Sequence, residues 1–222
     1  ESDTLSILHH SFFMPEVYYF NATSPGEPVT MNWHPPQIPH LKDGRDEWDS
    51  LYAFQGVPSP VEGGCEADYN YIYSVFINTD SVYKYDEFGN VIEKFRIPGI
   101  PGLYDLARDP GTGLFYGSDG TTTVYEMDFT AKQITGEITA PVNVRALAYD
   151  ENFGAFWTYN ESPDNKFIQF DRNSTQINSF TTYPGNYNNF VALAYDDPTF
   201  VGGGPYLYGF SQDDNGGTIV QL

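Results

Sequence analysis

A short phrase ending in aspartate recurs along this chain. YDLARD closes at Asp109, RALAYD at Asp150, VALAYD at Asp196, and a weaker copy, GGCEAD, at Asp68. The spacings are 41, 41 and 46 residues, and the longest unit holds an extra PTFVGGG turn. After each aspartate come a turn and an aromatic segment: YIYSVFI (71–77), LFYGSD (114–119), AFWTYN (155–160) and YLYGFS (206–211). A third segment follows, SVYKYD, TVYEMD, KFIQFD and the shorter TIVQL, and then in three units a fourth, VIEKFRI, QITGEIT and QINSFTT. In SVYKYD, Val82, Lys84 and Asp86 alternate with Tyr83 and Tyr85. That period of two marks strands.

Four short strands, A to D, per ~40 residues is the period of a propeller blade. A blade cannot bury both faces alone, so neighbouring blades must share their cores. The expected fold is therefore all-β, a β-propeller with four-stranded blades of about 41–46 residues and about four visible units. The last unit lacks strand D. Either SLYAFQ (50–55) completes it, or the chain is part of a longer protein with a larger ring. The expected boundaries are a non-repeat segment, 1–47, and the propeller, 48–222. In the first segment EVYYFN and VTMNW read as strands and HPPQIPH as an extended proline-rich stretch.

Composition narrows the function classes. Thirty acidic and ten basic residues give a net charge of −20. Such a surface repels nucleic-acid phosphates and anionic lipids. It attracts divalent cations or basic partners. The single Cys65 excludes an internal disulfide. No apolar run reaches the ~18 residues of a membrane-spanning helix, and the first residues do not read as a signal peptide.

The units GLFYGSDGTTTVYEMDFTAKQITGEI, VRALAYDENFGAFWTYN and GGGPYLYGFSQ resemble the repeat regions of secreted Bacteroidota proteins. The resemblance covers roughly residues 50–222. It implies a β-propeller in an exported or cell-surface protein, of a group without a general enzymatic assignment. Many such proteins carry a C-terminal sorting tail for type IX secretion, and no such tail is visible in this sequence.

All four histidines, His9, His10, His34 and His40, precede the repeats, so no Ser-His-Asp triad can form within them. Neither a Gly-x-Ser-x-Gly elbow nor a glycine-rich phosphate loop occurs. Asp213-Asp214-Asn215-Gly216-Gly217 resembles a calcium-loop fragment but reads better as a B–C hairpin turn, and DEFGN (86–90) as a C–D turn. No cofactor is therefore expected, calcium being the one with any sequence support. Asp68, Asp109, Asp150 and Asp196 sit where strand A ends, so an Asx turn is their expected role.

Non-repeated residues are the better candidates for binding. Loops leading into strand A line one mouth of a propeller's channel. The aligned positions hold Gly102, Asn143 and Asn189, then Tyr104, Arg145 and Val191, then Asp105, Ala146 and Ala192. Tyr104, Asp105, Asn143, Arg145 and Asn189 are therefore candidate ligand-binding residues. Arg145 would bind a carboxylate or pair with Asp105. Trp157 would stack on a sugar ring or pack in the core. Asn21, Asn160 and Asn173 head N-linked sequons, and Thr4, Ser50 and Ser81 fit the Bacteroidota O-glycosylation pattern.

Three functions remain open. One is a non-enzymatic extracellular scaffold that binds protein, glycan or a sister subunit. Another is a metal-dependent lactonase or glycan-active enzyme with its site in the channel. The third is a structural subunit of an extracellular assembly, joined through unpaired strand edges.

Overall fold

The computed structural model describes residues 4–11, 14–21, 30–31, 62–77, 79–160, 165–181, 189–196, 206–213 and 216–221. Compactness divides the chain into Glu1–Phe54 and Gln55–Leu222. In the first unit, β1 (Thr4–Ser11) and β2 (Met14–Asn21) form an antiparallel hairpin, and the short β3 (Thr30–Met31) pairs with β2. EVYYFN lies on β2 as expected. HPPQIPH and SLYAFQ lie outside the described residues.

The second unit repeats one antiparallel meander. Its first sheet is β4 (Glu62–Ala67), β5 (Ile72–Phe76), β6 (Ser81–Tyr85) and β7 (Val91–Arg96). The second is β8 (Asp105–Arg108), β9 (Phe115–Ser118), β10 (Thr123–Asp128) and β11 (Gln133–Thr139). The third is β12 (Leu147–Asp150), β13 (Ala155–Asn160), β14 (Lys166–Phe170) and β15 (Gln176–Thr181). The fourth has three described strands, β16 (Phe190–Asp196), β17 (Tyr206–Asp213) and β18 (Gly216–Gln221). The inner strands pack side by side in the order β4, β8, β12, β16, and β16 also approaches β8. This is the architecture of a β-propeller.

Period two explains how the blades stack. Successive side chains of one strand enter opposite cores. Leu106 and Phe115 join the core between the first and second blades, whereas their neighbours Ala107 and Tyr116 join the core between the second and third. Leu147 and Phe156 face back into that second core, and Ala148 and Trp157 face forward into a third. Covering both faces is why β13 is buried along nearly its whole length. Each fully buried Leu or Phe contributes about 1.5–3 kcal/mol.

A bulge recurs where strands C and D pair. The register shifts after Lys84 in the first blade, after Glu126 in the second and after Gln169 in the third. Bulges re-aim side chains, and these three occupy the same position in their blades.

The turns are built as the sequence suggests. Asp86 closes the β6–β7 turn, taking the amides of Phe88 and Asn90 on Oδ1, with Gly89 at φ 82°. β17 and β18 pair antiparallel, with Asp213 opposite Gly216.

Candidate functional site

Asp68, Asp109 and Asp150 are scaffold, and the side chain of Asp196 lies outside the described residues. Asp68 Oδ1 accepts the amides of Asn70 and Tyr71, and its Oδ2 accepts the Tyr73 hydroxyl at 2.7 Å. Asp150 takes turn amides on Oδ1 and binds Trp157 Nε1 (3.2 Å) and Gln169 Nε2 (2.6 Å) through Oδ2. Asp109 takes the Gly111 amide on Oδ1, and Arg172 reaches its Oδ2 from the next blade at 3.3 Å. One oxygen fixes the turn and the other ties down a side chain.

Asp105 occupies the centre of the inner strands. Gly64, Ala146 and Ala192 stand at its position in the other blades, and these small residues leave room for one carboxylate. Its Oδ1 accepts the Leu106 amide at 2.9 Å, and its Oδ2 accepts the amides of Leu147 (2.8 Å) and Leu193 (3.1 Å). One side chain thus joins three blades. Burial pushes its pKa well above the ordinary carboxylate range, although the three amide donors favour the ionised form. A Cβ on Gly64 would lie 2.0 Å from Asp105 Oδ1. Glu66, where the other inner strands carry alanine, is pushed up to about 7 by burial.

Asp105 is therefore an internal staple, only 2% exposed, and not a residue of an open channel mouth. Arg145 does not pair with it. Arg145 is exposed and its guanidinium lies 5.7 Å from the centre of the Tyr104 ring, so those two predicted residues do meet. Asn143 is exposed beside them in sequence, and Asn189 takes a left-handed backbone at φ 58°. Trp157 belongs to the third core, 8% exposed, with its N–H committed to Asp150, so it is packing and not a stacking platform. Ser81 is buried at the start of β6, so its hydroxyl is covered in the folded protein. Thr4 lies on β1, and Ser50 is outside the described residues. Among the described residues no three His, Cys, Asp or Glu side chains converge to hold a metal ion.

Two interblade clefts hold further clusters of charge. In the cleft between the second and third blades, Arg172 is a clamp. Its guanidinium donates to Glu126 Oε2 (2.6 Å), Tyr116 Oη (2.5 Å) and Asp109 Oδ2, and lies 5.0 Å from the Tyr116 ring centre. These bonds hold Glu126 below its usual range and raise Arg172. Between the first and second blades lies a cavity of about 430 Å³. Lys84, Arg108 and Lys132 line it together with Asp68 and Glu93, beside Tyr73, Phe95, Phe115 and Phe129. Sequence reasoning missed this cleft because its cations are 24 residues apart along the chain. The signal was the strand-C position held in turn by Lys84, Glu126 and Gln169.

No family model matches the chain, and no curated protein matches it. Among solved structures it is similar to U3-55K (13% identity, TM-score 0.48, covering 78% of this chain and 53% of that one). It is similar to Kuenenia stuttgartiensis hydrazine synthase at 13% identity, with a TM-score of 0.49 over 78% of this chain and 49% of that one. The RRP9 WD40 repeats give 13% identity and 0.48 over 78% and 52%. The chain spans about half the length of these structures. Such overlaps bear on fold alone, and the propeller assignment rests on the sheets themselves.

Proposed function

We propose that the propeller unit is a non-enzymatic binding module that takes its partner on the blade faces and interblade clefts. The observation that carries this reading is the commitment of the recurring carboxylates. Asp68, Asp109 and Asp150 each hold a turn with one oxygen and a side chain with the other, and Asp105 is enclosed by backbone amides. These acids support the fold and leave partner recognition to residues that differ between blades. A location outside the cell, or on its outer surface, goes with this reading through the likeness of the repeats to secreted Bacteroidota proteins. Protein and glycan are the corresponding partners.

The test is to probe glycan and peptide arrays with the purified protein, alongside metal analysis and assays on lactone and glycoside substrates. Saturable capture without turnover supports the module. Turnover abolished by removing a bound divalent ion would replace it with the metal-dependent enzyme.

A second reading has its own observation. The outer edge of β18 pairs with no described strand. A strand from a sister subunit, or from elsewhere in the protein, would complete that sheet. Sedimentation at increasing concentration tests it: self-association supports an assembly role, and a single 25 kDa species opposes it.

A further inference from the structure

The repeats allow each interblade cleft to be compared with its neighbour, position by position. In the second cleft the strand-C residue is Glu126, the residue after the strand-C aspartate is Arg172, and the inner-strand residue is Tyr149. In the first cleft these positions hold Lys84, Phe129 and Arg108. The acid of the second cleft has become a cation, the plugging arginine a phenylalanine, and the tyrosine a second cation.

The second cleft satisfies itself. Glu126 and Asp109 face Arg172, and Tyr149 stacks on Tyr116 with ring centres 5.8 Å apart. The first cleft does not. Asp68 is occupied by two amides and the Tyr73 hydroxyl. Glu93 pairs with Lys132. Lys84 stands across the strand from Glu93 and feels its field, but it and Arg108 rest on rings: Lys84 Nζ sits 3.6 Å from the Tyr71 ring centre, and Arg108 lies 5.2 Å from Tyr69 and 5.9 Å from Phe115. Arg108 Nε is buried and has no acceptor. Among the described residues neither cation has a carboxylate within ion-pairing distance. Glu66 meets Arg108 through the Arg108 backbone amide and feels its guanidinium through the longer-range field.

Beneath the cations is an apolar floor. Phe115 and Phe129 stack at 4.0 Å, with Tyr73 edge-on to Phe115 at 4.9 Å. A cavity of about 430 Å³ falls within the roughly 300–1,000 Å³ usual for small-ligand pockets. Guanidinium and ammonium groups beside an apolar floor select an anion carried on an apolar or ring-shaped body.

We infer that the first interblade cleft binds a small carboxylate ligand with a ring-shaped body, whose carboxylate stands where Glu126 stands in the next cleft. The ring would rest against Phe115 and Phe129, and the carboxylate would face Lys84 and Arg108. This deepens the binding-module reading and rests on it. The ligand is either a free acid or the acidic unit of a glycan, since both present the same group.

Calorimetric titration tests the inference with benzoate and glucuronate as acids, and with benzyl alcohol and glucose as neutral counterparts. Acetylated glutamate amide serves as the peptide-like probe. The acids should bind and their neutral counterparts should not, with affinity falling as salt rises. Benzoate binding alone points to a free aromatic acid, and glucuronate binding alone to a glycan unit. Lys84→Gln should weaken binding about ten-fold, the loss expected for one charge-assisted hydrogen bond. Lys84→Glu with Phe129→Arg copies the second cleft into the first and should abolish binding. The single variant keeps the test decisive if this pair fails to fold. Equal binding of acids and neutral probes, binding unchanged by Lys84→Gln, binding only of the glutamate probe, or no binding would each overturn the inference. Array capture that survives Lys84→Gln would leave the module standing while the cleft assignment fell, whereas turnover would remove the module itself.

Discussion

Replacing Asp105 by alanine should be among the costliest aspartate substitutions in the fold. The substitution strands three buried amides, those of Leu106, Leu147 and Leu193, in three different blades. An orphaned buried donor costs about 1–3 kcal/mol, so even the low end sums to roughly 3 kcal/mol. Relief from burying the carboxylate offsets part of this, and the cavity left by the side chain adds to it. Against a domain stability of about 5–15 kcal/mol the loss is large. Asp105→Asn keeps the shape and one acceptor oxygen but turns its amide N–H₂ towards another donor, so it should lose roughly 1–3 kcal/mol. Asp128 serves as the control, because it caps only the solvent-facing amides of Thr130 and Ala131. Urea unfolding followed by circular dichroism gives the differences, and hydrogen exchange at Leu147 and Leu193 reports the same bonds locally. A loss below about 1 kcal/mol for Asp105→Ala, with both amides still protected, would refute the staple.

The Cβ of Gly64→Ala would meet the Asp105 backbone at 2.6 Å, so the variant should lose about 1–3 kcal/mol, read as a lower melting temperature. Burial raises the Glu66 carboxyl from the ordinary value of about 4.5 to about 7 in the folded protein. The folded state therefore holds the extra proton between these values. Stability should be full below pH 4.5 and fall by about 3 kcal/mol as pH rises through 7. Asp105 adds in the same direction, and Glu66→Gln should flatten much of that fall in pH-dependent urea midpoints. Arg172→Met should cost about 1–2 kcal/mol by leaving Glu126 and Asp109 facing each other, with the cost shrinking in high salt because the guanidinium is part-exposed.

The blades were legible because each repeats the same local physics. Alternating side chains, an aspartate at the end of strand A and a tight C–D turn can all be read from neighbouring residues. Asp105 also stood out, as the acid among Gly64, Ala146 and Ala192. Its place was not legible, because the room for it is made by small residues on strands 41 and more positions away. Trp157 was ambiguous because its cover comes from other elements: it packs with Phe180, on the last strand of its blade, and with Phe190 and Leu193 of the next blade. The first cleft was the hardest feature to see. Lys84, Arg108 and Lys132 come from a strand C, a strand A and a C–D turn of two blades, and only the register of stacked sheets brings them together. Once the blades are aligned, the exchange of Glu126 for Lys84 is visible in the sequence.

Inner-strand carboxylates build the scaffold, and the first interblade cleft is the proposed recognition surface. Backbone and aromatic NMR shifts, mapped while benzoate or glucuronate is added, test that separation most directly. The account predicts changes at Lys84, Arg108, Phe115 and Phe129, with Tyr104, Asn143, Arg145 and Leu147 unmoved. Changes confined to Tyr104, Asn143 and Arg145, with the cleft silent, would contradict it.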